Sequence, residues 1–357
     1  MDKLILVIYP RLISTKIAIY DNRKQIFLTN IKHPSEILAK FDKIADQSGF
    51  RKESIIEELN KTGIDIKKIN VVVGRGGLLK PIAGGVYKVN EAMILDTQNP
   101  MGEHESNIGG LIAYEIAKES HNDTFAIIVD PACVDEMEDI SKISGMPEIP
   151  RKSMMHTLNQ RTIARRFARE IGKNYKDINV IVAHIGSGTS VGAHRKGEII
   201  DVNNGLIGDG PMSAERSGSV PAGDLVELCF SGKFSKNEII NKLKNNGGLI
   251  AYLGTNDYHE IEKKIEQGDK HAELVFSALA YQTAKEIGGL STVLKGEIDG
   301  ILLTGELAYS NFLINAITES IKHLGLVRVY PGEDEMDALA MHGYMVLDGE
   351  IEVKEYK

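Results

Sequence analysis

The stretch Val180-Ile181-Val182-Ala183-His184-Ile185-Gly186-Ser187-Gly188-Thr189-Ser190-Val191-Gly192-Ala193-His194-Arg195-Lys196-Gly197-Glu198-Ile199-Ile200-Asp201-Val202 decides how this chain is to be read. An apolar strand runs into a turn with two glycines, then a second strand, a tight turn at Lys196-Gly197 and a third strand. A turn of this kind leaves backbone N–H groups bare, and glycine lets an anion approach them without a side chain in the way. On these residues alone two readings are open, a phosphate cradle and an ordinary β-hairpin. Neither familiar glycine code fits, because no helix follows within the spacing of a P-loop or dinucleotide fingerprint.

Working outward, the same succession recurs at the start of the chain. Strand candidates at about 3–9, 16–21 and 24–29 precede a helix starting near Pro34-Ser35-Glu36. An amphipathic segment from Lys52 to Lys61 leads to the strand Ile69–Val73, followed by a helix over 107–119 and a strand over 124–130. Helical periodicity spans Leu158–Ile171 before the glycine hairpin, and returns after it near 223–231, 236–245, 259–267 and 270–295. Strand 300–304, helix 310–322, strand 326–330 and helix 334–346 close the chain. The spacing therefore predicts an α/β protein with a duplicated β-β-β-α-β-α-β-α plan: two like domains, each a mixed sheet with helices on its faces. A ligand is expected in the cleft between them. The turn-rich Ser144-Gly145-Met146-Pro147-Glu148-Ile149-Pro150 marks the expected boundary.

Composition narrows the class. At 357 residues the chain is long enough for two domains, and 42% hydrophobic with 26% charged is globular usage. A net charge of −8, with no basic stripe, argues against a nucleic-acid partner. Cys133 and Cys229 lie far apart and read as two reduced, buried thiols, an expectation for both positions. The apolar run Leu4–Ile8 is too short for a signal segment, and no stretch reaches membrane-spanning length. The expectation is a cytoplasmic protein without a membrane partner.

Polar residues collect where strands end, the usual place for sites in α/β proteins. Phosphoryl transfer asks for anion donors, cations that do not deprotonate, and a carboxylate for Mg²⁺. Arg75 sits in the glycine run Gly74-Arg75-Gly76-Gly77 directly after a strand, where its planar fork suits a carboxylate or a phosphate. A solvent-facing loop arginine is the plain alternative. Asp130 ends a strand before Pro131, and Glu215-Arg216-Ser217-Gly218 supplies a second loop arginine. His104, His156 and His184 stand at the edges of regular elements. Glu333-Asp334-Glu335 with Asp337 opens a helix, where acids interact favourably with the dipole and one can also reach a metal. Thr304-Gly305-Glu306 is a further strand-to-helix junction.

Taken in order, these stretches resemble the acetate kinase/butyrate kinase family of the actin-like ATPase superfold. The resemblance runs from residue 3 to about 347 and looks closest to butyrate and branched-chain fatty-acid kinases. It is carried by Gly74–Leu79, Asn99-Pro100-Met101-Gly102-Glu103-His104-Glu105-Ser106-Asn107, Val129-Asp130-Pro131, Arg151-Lys152-Ser153 with His156, and Ala183–Gly188. Ile200–Asn204, Glu215–Gly218, Gly247–Thr255 and Pro331–Glu335 complete it. The resemblance implies two actin-like (ribonuclease H-like) domains around an interdomain active-site cleft. One comprises residues 1–150 with a C-terminal helix from about 335 to 357; the other, 151–334, serves nucleotide binding and dimerisation.

The implied reaction is ATP-dependent phosphorylation of a short-chain fatty acid, butyrate or a branched relative, to the acyl phosphate, and its reverse. ATP or ADP and Mg²⁺ are the implied cofactors, and a homodimer or larger homo-oligomer the implied assembly. By position, Arg75 and Arg216 hold the carboxylate and the transferring phosphoryl, Asp130 acts near the nucleophile and metal, and His156 and His184 contact the phosphoryl in flight. His104 is a further active-site histidine that would touch substrate, with Gly77 and Met155 lining the acyl pocket. Glu335 and Asp130 hold the metal. Ser14, Lys16, Gly186, Ser187 and Gly188 fall on phosphate loops, and Asp257, Tyr258, Gly305 and Glu306 on the adenosine site.

Two stretches depart from the family's pattern. Its N-terminal hairpin reads close to Asn-Pro-Gly-Ser-Thr-Ser-Thr-Lys, whereas this chain has Tyr9-Pro10-Arg11-Leu12-Ile13-Ser14-Thr15-Lys16. Leucine and β-branched isoleucine donate no side-chain hydrogen bond and resist positive φ. Glu306 stands where the family has glycine. These departures define an alternative, a catalytically weakened or inactive paralogue that binds nucleotide or acid. A sugar or glycerol kinase of the same superfold is a third reading, disfavoured by the arginine-rich anion site.

Overall fold

The computed structural model describes residues 3–120 and 123–357, and the chain divides into two compact units. The first comprises residues up to Val134 together with Asp334–Lys357. Its seven-stranded sheet uses β1 (Leu4–Arg11), β2 (Ser14–Asp21), β3 (Lys24–Lys32), β4 (Val71–Arg75), β5 (Val86–Lys88), β6 (Phe125–Val129) and β12 (Val353–Glu355), in the order β12-β5-β6-β4-β1-β2-β3. β1 is buried almost throughout because both of its faces are covered, which is why it reads as an unbroken apolar run. Leu6, Ile8 and Val72 join the core under helices Ser48–Thr62 and Asn107–Glu119. Ile5 and Val73, pointing to the opposite face, meet Gly343 of helix Glu335–Leu347.

The second unit, Asp135–Glu333, has a five-stranded sheet. It contains β7 (Asn179–Ile185), β8 (Thr189–Arg195), β9 (Glu198–Val202), β10 (Gly300–Gly305) and β11 (Val327–Pro331), in the order β11-β10-β7-β8-β9. Side chains again alternate between two cores. Val180, Val182 and Leu302 pack with Ile163, Ala164 and Phe167 of helix Thr157–Glu170. Ile181, Ala183, Ile301 and Leu303 pack with helices Lys270–Val293 and Asn311–Ile321.

The repeat expected from the sequence is present in the topology. β3-β2-β1-β4-β6 in the first sheet matches β9-β8-β7-β10-β11 in the second, with two antiparallel pairings and then two parallel ones in each. The first unit adds β5, helix Glu91–Gln98 and β12, none of which the sequence pattern predicted. Residues 135–150 are tied into the second unit. The Glu138 amide donates to Ile200 O, and Glu136 and Glu138 pair with Arg161 and Arg195.

Candidate active site

In the first unit, Arg75 ends β4, where the chain runs backbone to backbone against the start of helix Asn107–Glu119. A Cβ on Gly74 would stand 2.9 Å from Gly110 N, so glycine alone permits this approach. The guanidinium lies over the Tyr9 ring, 4.2 Å from its centroid, with Nε 3.9 Å from Glu335 Oε2. Tyr9, which stands where the family's asparagine was expected, is a buried platform for this arginine. Asp130 follows β6 with φ +39°, a left-handed conformation that aspartate adopts more readily than most residues other than glycine. Its Oδ1 accepts from Gly85 N at 2.8 Å, and its own N–H donates to Gly85 O at 2.9 Å. Asp130 and Glu335 are both buried carboxylates.

His104 Nδ1 accepts the Ser106 amide at 3.1 Å, which places the proton of a neutral ring on Nε2. A Cβ on Gly77 would lie 2.6 Å from Asn107 N, so its backbone packs directly against the start of helix Asn107–Glu119. The Asn107 side chain ties the strand-following loop together, accepting from Leu78 N at 2.7 Å and donating to Gly102 O at 2.8 Å.

The β1–β2 turn is a two-residue connection in which Arg11 pairs with Ser14. Leu12 and Ile13 at its tip are 69% and 55% exposed. Beneath it lies Arg51, fully buried, a residue the sequence reading did not single out. Its Nη1 donates to Arg11 O and Ser14 O at 2.9 Å, and its Nη2 to Leu12 O at 3.0 Å. Gln47, one helical turn earlier, accepts from Nε and Nη2 at 3.1 and 2.9 Å. Burial pulls Arg51 down to about 10. His33, hydrogen-bonded to Thr15 Oγ1 at 2.8 Å, is brought to about 4 by burial and then by the Arg51 charge. Ser14 is buried and its carbonyl belongs to Arg51, while Lys16 stands opposite Tyr9 in the ladder.

In the second unit the two candidate histidines come together. His156 caps helix Thr157–Glu170 and stacks on His184 of β7, with centroids 3.7 Å apart and 11° between planes. The buried His184 has Nδ1 2.9 Å from Asn159 Oδ1 and Nε2 3.2 Å from Glu333 Oε1. Met155 is buried immediately before this pair.

The β7–β8 turn, Gly186-Ser187-Gly188, is laced to the loop carrying Arg216. Ser187 O accepts from Ser213 Oγ at 2.5 Å and from Glu215 N at 3.2 Å, and Gly186 O from Ala214 N at 3.2 Å. Arg216 crosses directly over the turn. A Cβ on Gly188 would overlap its guanidinium, with Cζ 2.6 Å away, and Nη1 donates to Gly205 O at 2.6 Å. Gly188 therefore serves a steric need of Arg216, whereas Gly186 has no such need and stays at negative φ.

Gly305, at φ +94°, lies against β7: a Cβ would stand 2.8 Å from Ile185 N. Glu306, itself exposed, follows it at the start of a short turn of helix. Asp257 caps helix Tyr258–Glu266 by accepting from His259 N at 2.9 Å. Burial, then the charges of Glu262 and Glu306, hold the Tyr258 phenol above its ordinary value, so Tyr258 and Glu306 are electrostatic neighbours. Among the described residues no cluster of three or more His, Cys, Asp or Glu side chains forms a metal cage, and no helix is long and apolar enough to cross a membrane.

The sequence profile of the acetokinase family matches residues 148–337. Butyrate kinase 1 of Clostridium acetobutylicum is 50% identical over 354 residues, 99% of both chains. The chain belongs to the acetokinase family. Among solved structures, Porphyromonas gingivalis acetate kinase aligns with a TM-score of 0.78 at 17% identity, covering 97% of this chain and all of that one. A propionate kinase from Francisella tularensis gives 0.74 at 18% identity over 95% and 98%. At such identities the likeness speaks for the fold, which is the two-domain actin-like ATPase fold of acetokinases. Within this acetokinase, sequence reasoning did not single out Arg51 or Asn159. The Gln47–Arg51 and His156–Asn159 spacings of one helical turn were the available signals.

Proposed function

We propose that this acetokinase transfers the γ-phosphoryl group of ATP to a short-chain carboxylate, butyrate or a branched relative, and runs the reverse reaction from the acyl phosphate and ADP. The observation that carries this reading is half identity, over essentially the full length of both chains, to a protein named butyrate kinase. The weakened-paralogue alternative finds no support. Tyr9, the first of its departures, has a defined place under Arg75.

A carboxylate is already an anion, so the reaction needs no strong base. A carboxylate oxygen bonds to Pγ as the bond from Pγ to the β,γ-bridging oxygen breaks, and ADP leaves with that electron pair. The barrier lies in bringing two anions together, and fixed cations lower it. In this reading Arg75, oriented by Tyr9 and Glu335, holds the carboxylate, with His104 beside it and Met155 lining the acyl pocket. Arg216, held over the glycine turn, neutralises charge on the transferring phosphoryl, and His156 and His184 donate to its oxygens. Ser14 and Lys16 from one hairpin and Gly186, Ser187 and Gly188 from the other serve the remaining phosphates, and Asp257, Tyr258, Gly305 and Glu306 serve adenosine.

Asp130 and Glu335 are hard oxygen donors shielded from water, the donor type magnesium takes when phosphates complete its shell. Bound there, a magnesium ion would supply charge neutralisation at the phosphate oxygens. We propose further a cytoplasmic homodimer or larger homo-oligomer. The uncovered apolar side of helix Ala222–Phe230, with Val226 53% and Phe230 87% exposed, supports self-association, which sedimentation would test.

The reaction is tested by trapping acyl phosphate with hydroxylamine from ATP, Mg²⁺ and each C2–C5 acid. Butyrate or isobutyrate should give the highest kcat/KM, with acetate lower and glycerol inert. No product above background with any of these acids would reject the reading.

A further inference from the structure

Behind the stacked imidazoles runs a line of buried polar side chains that the proposed reaction does not use. Ser190, Gly192 and His194 alternate along β8, so they share one face of the sheet. Gln160, on helix Thr157–Glu170, packs onto that face four residues after His156. Ser190, Gln160 and His194 are completely buried.

Their hydrogen bonds admit one assignment. Gln160 Nε2 lies 3.1 Å from the Ser190 carbonyl, which only accepts, so the amide NH₂ faces Ser190 and Oε1 faces His194 Nε2 at 3.0 Å. An acceptor at that position puts the proton of a neutral His194 on Nε2, and Nδ1 then accepts from the Tyr175 hydroxyl at 2.8 Å. His194 stays neutral, because burial and the nearby Arg161 and Arg165 charges pull it down to about 3.

At the other end, Ser190 Oγ receives Gln160 Nε2 at 2.9 Å and the His156 amide at 3.3 Å. The acceptor left for its own proton, among the described residues, is His156 Nδ1 at 3.0 Å. A neutral His156 must then carry its proton on Nε2. Gly192 leaves room for the line: a Cβ there would stand 2.5 Å from Gln160 Oε1 and 3.4 Å from His194 Nε2.

We propose that Ser190, Gln160 and His194 are positioning residues that hold His156 in its Nε2–H tautomer, so that its outer nitrogen donates a hydrogen bond to the transferring phosphoryl group. The proposal rests on the reading of His156 as a phosphoryl contact. An enzyme that left this tautomer unset would present a lone pair to an anion in part of its molecules, and those molecules would repel the phosphoryl they must stabilise.

The test is the full-length protein with ¹⁵N-labelled histidines, the His156 signals being assigned by their loss in His156→Gln. In the parent protein the ¹⁵N shifts should report Nδ1 as the acceptor. Ser190→Ala should move them toward a tautomer mixture and lower kcat about 10–100-fold, the usual cost of losing a partner that orients a site residue, with KM changed by less than about twofold. Ser190→Thr, which keeps the hydroxyl, should restore both. Gly192→Ala, which pushes a methyl group against Gln160 and deletes no member of the line, should move the same signals and serves if Ser190→Ala does not fold. Unmoved His156 signals in both alanine variants would overturn the positioning line whatever the activity. Moved signals with unchanged kcat would uphold the line and overturn the role of His156 in the reaction.

Discussion

The β1–β2 and β7–β8 hairpins occupy equivalent places in two sheets of the same topology, yet they handle a cation in opposite ways. Under the first turn Arg51 is buried, and three backbone carbonyls together with Gln47 take its donors. Across the second, Arg216 lies over a glycine that leaves room for it. One arginine closes a turn tipped with leucine and isoleucine; the other is displayed on a turn of glycine and serine. The two units thus share a strand order while the chemistry of their turns differs. In the first unit the arginine proposed to face the substrate sits instead at the end of β4, where Arg75 rests on Tyr9.

Substitutions can break this contrast at each point. Removing the displayed arginine should have the largest effect: Arg216→Ala is expected to lower kcat by about 10³-fold or more, as loss of an arginine at a transferring phosphoryl does, with thermal stability nearly unchanged. The buried arginine should behave in the reverse sense. Arg51→Met leaves the carbonyls of Arg11, Leu12 and Ser14 without their donor and should cost about 2–4 kcal/mol of stability in urea unfolding. A stable Arg51→Met protein would remove the distinction between the two hairpins.

Acid should weaken both units through a buried neutral histidine in each, His33 brought to about 4 and His194 to about 3. Both folded values lie below the unfolded value near 6.5, so the unfolded chain binds protons first. Stability is therefore full above about pH 6.5 and is lost as pH falls toward the folded values, on the order of 2 kcal/mol per histidine. Urea unfolding between pH 7 and 4 measures this slope, and His33→Gln should flatten part of it. A pH-independent midpoint across that window would contradict the assignment.

The smallest effects belong to the Tyr9 platform and to the surface of the first turn. Tyr9→Ala, which removes the platform under Arg75, should cost about tenfold in kcat/KM, the scale of a desolvated cation–π contact, while Tyr9→Phe should be nearly silent. Leu12→Ala and Ile13→Ala, at exposed positions, should stay within about 0.5 kcal/mol of the parent in stability. They should also leave turnover unchanged.

What the sequence disclosed follows from the range over which each feature is encoded. Strands buried on both faces, such as Leu4–Arg11 and Asn179–Ile185, announce themselves as apolar runs, and the repeated three-strand succession made the two-domain plan readable. β5 and β12 did not show, because three residues carry no periodicity and both strands form by pairing with segments distant in the chain, β5 with β6 and β12 with β5. At the candidate site the ordered motifs pointed to Arg75, His156, His184 and Arg216, while their surroundings stayed hidden. Arg51 sits in a helix whose sequence reads as an ordinary polar face, and only the approach of β1 and β2 turns it inward. At Gly77 and Gly188 the near neighbours, Asn107 and Arg216, lie about thirty residues further along the chain, so the sequence alone does not disclose them.

That last point offers the most direct measurement. Gly188→Ala adds one methyl group at a buried position without removing any charge or hydrogen-bonding group, and it must displace the Arg216 guanidinium from its place beside Gly205 O. Steady-state acyl phosphate formation from ATP and butyrate should fall by about 10²–10³-fold in kcat, the scale of losing a preorganised transition-state donor, while Gly186→Ala loses far less. A Gly188→Ala enzyme that retained kcat within about threefold of the parent would contradict the claim that Arg216, displayed on the second hairpin, carries the phosphoryl chemistry.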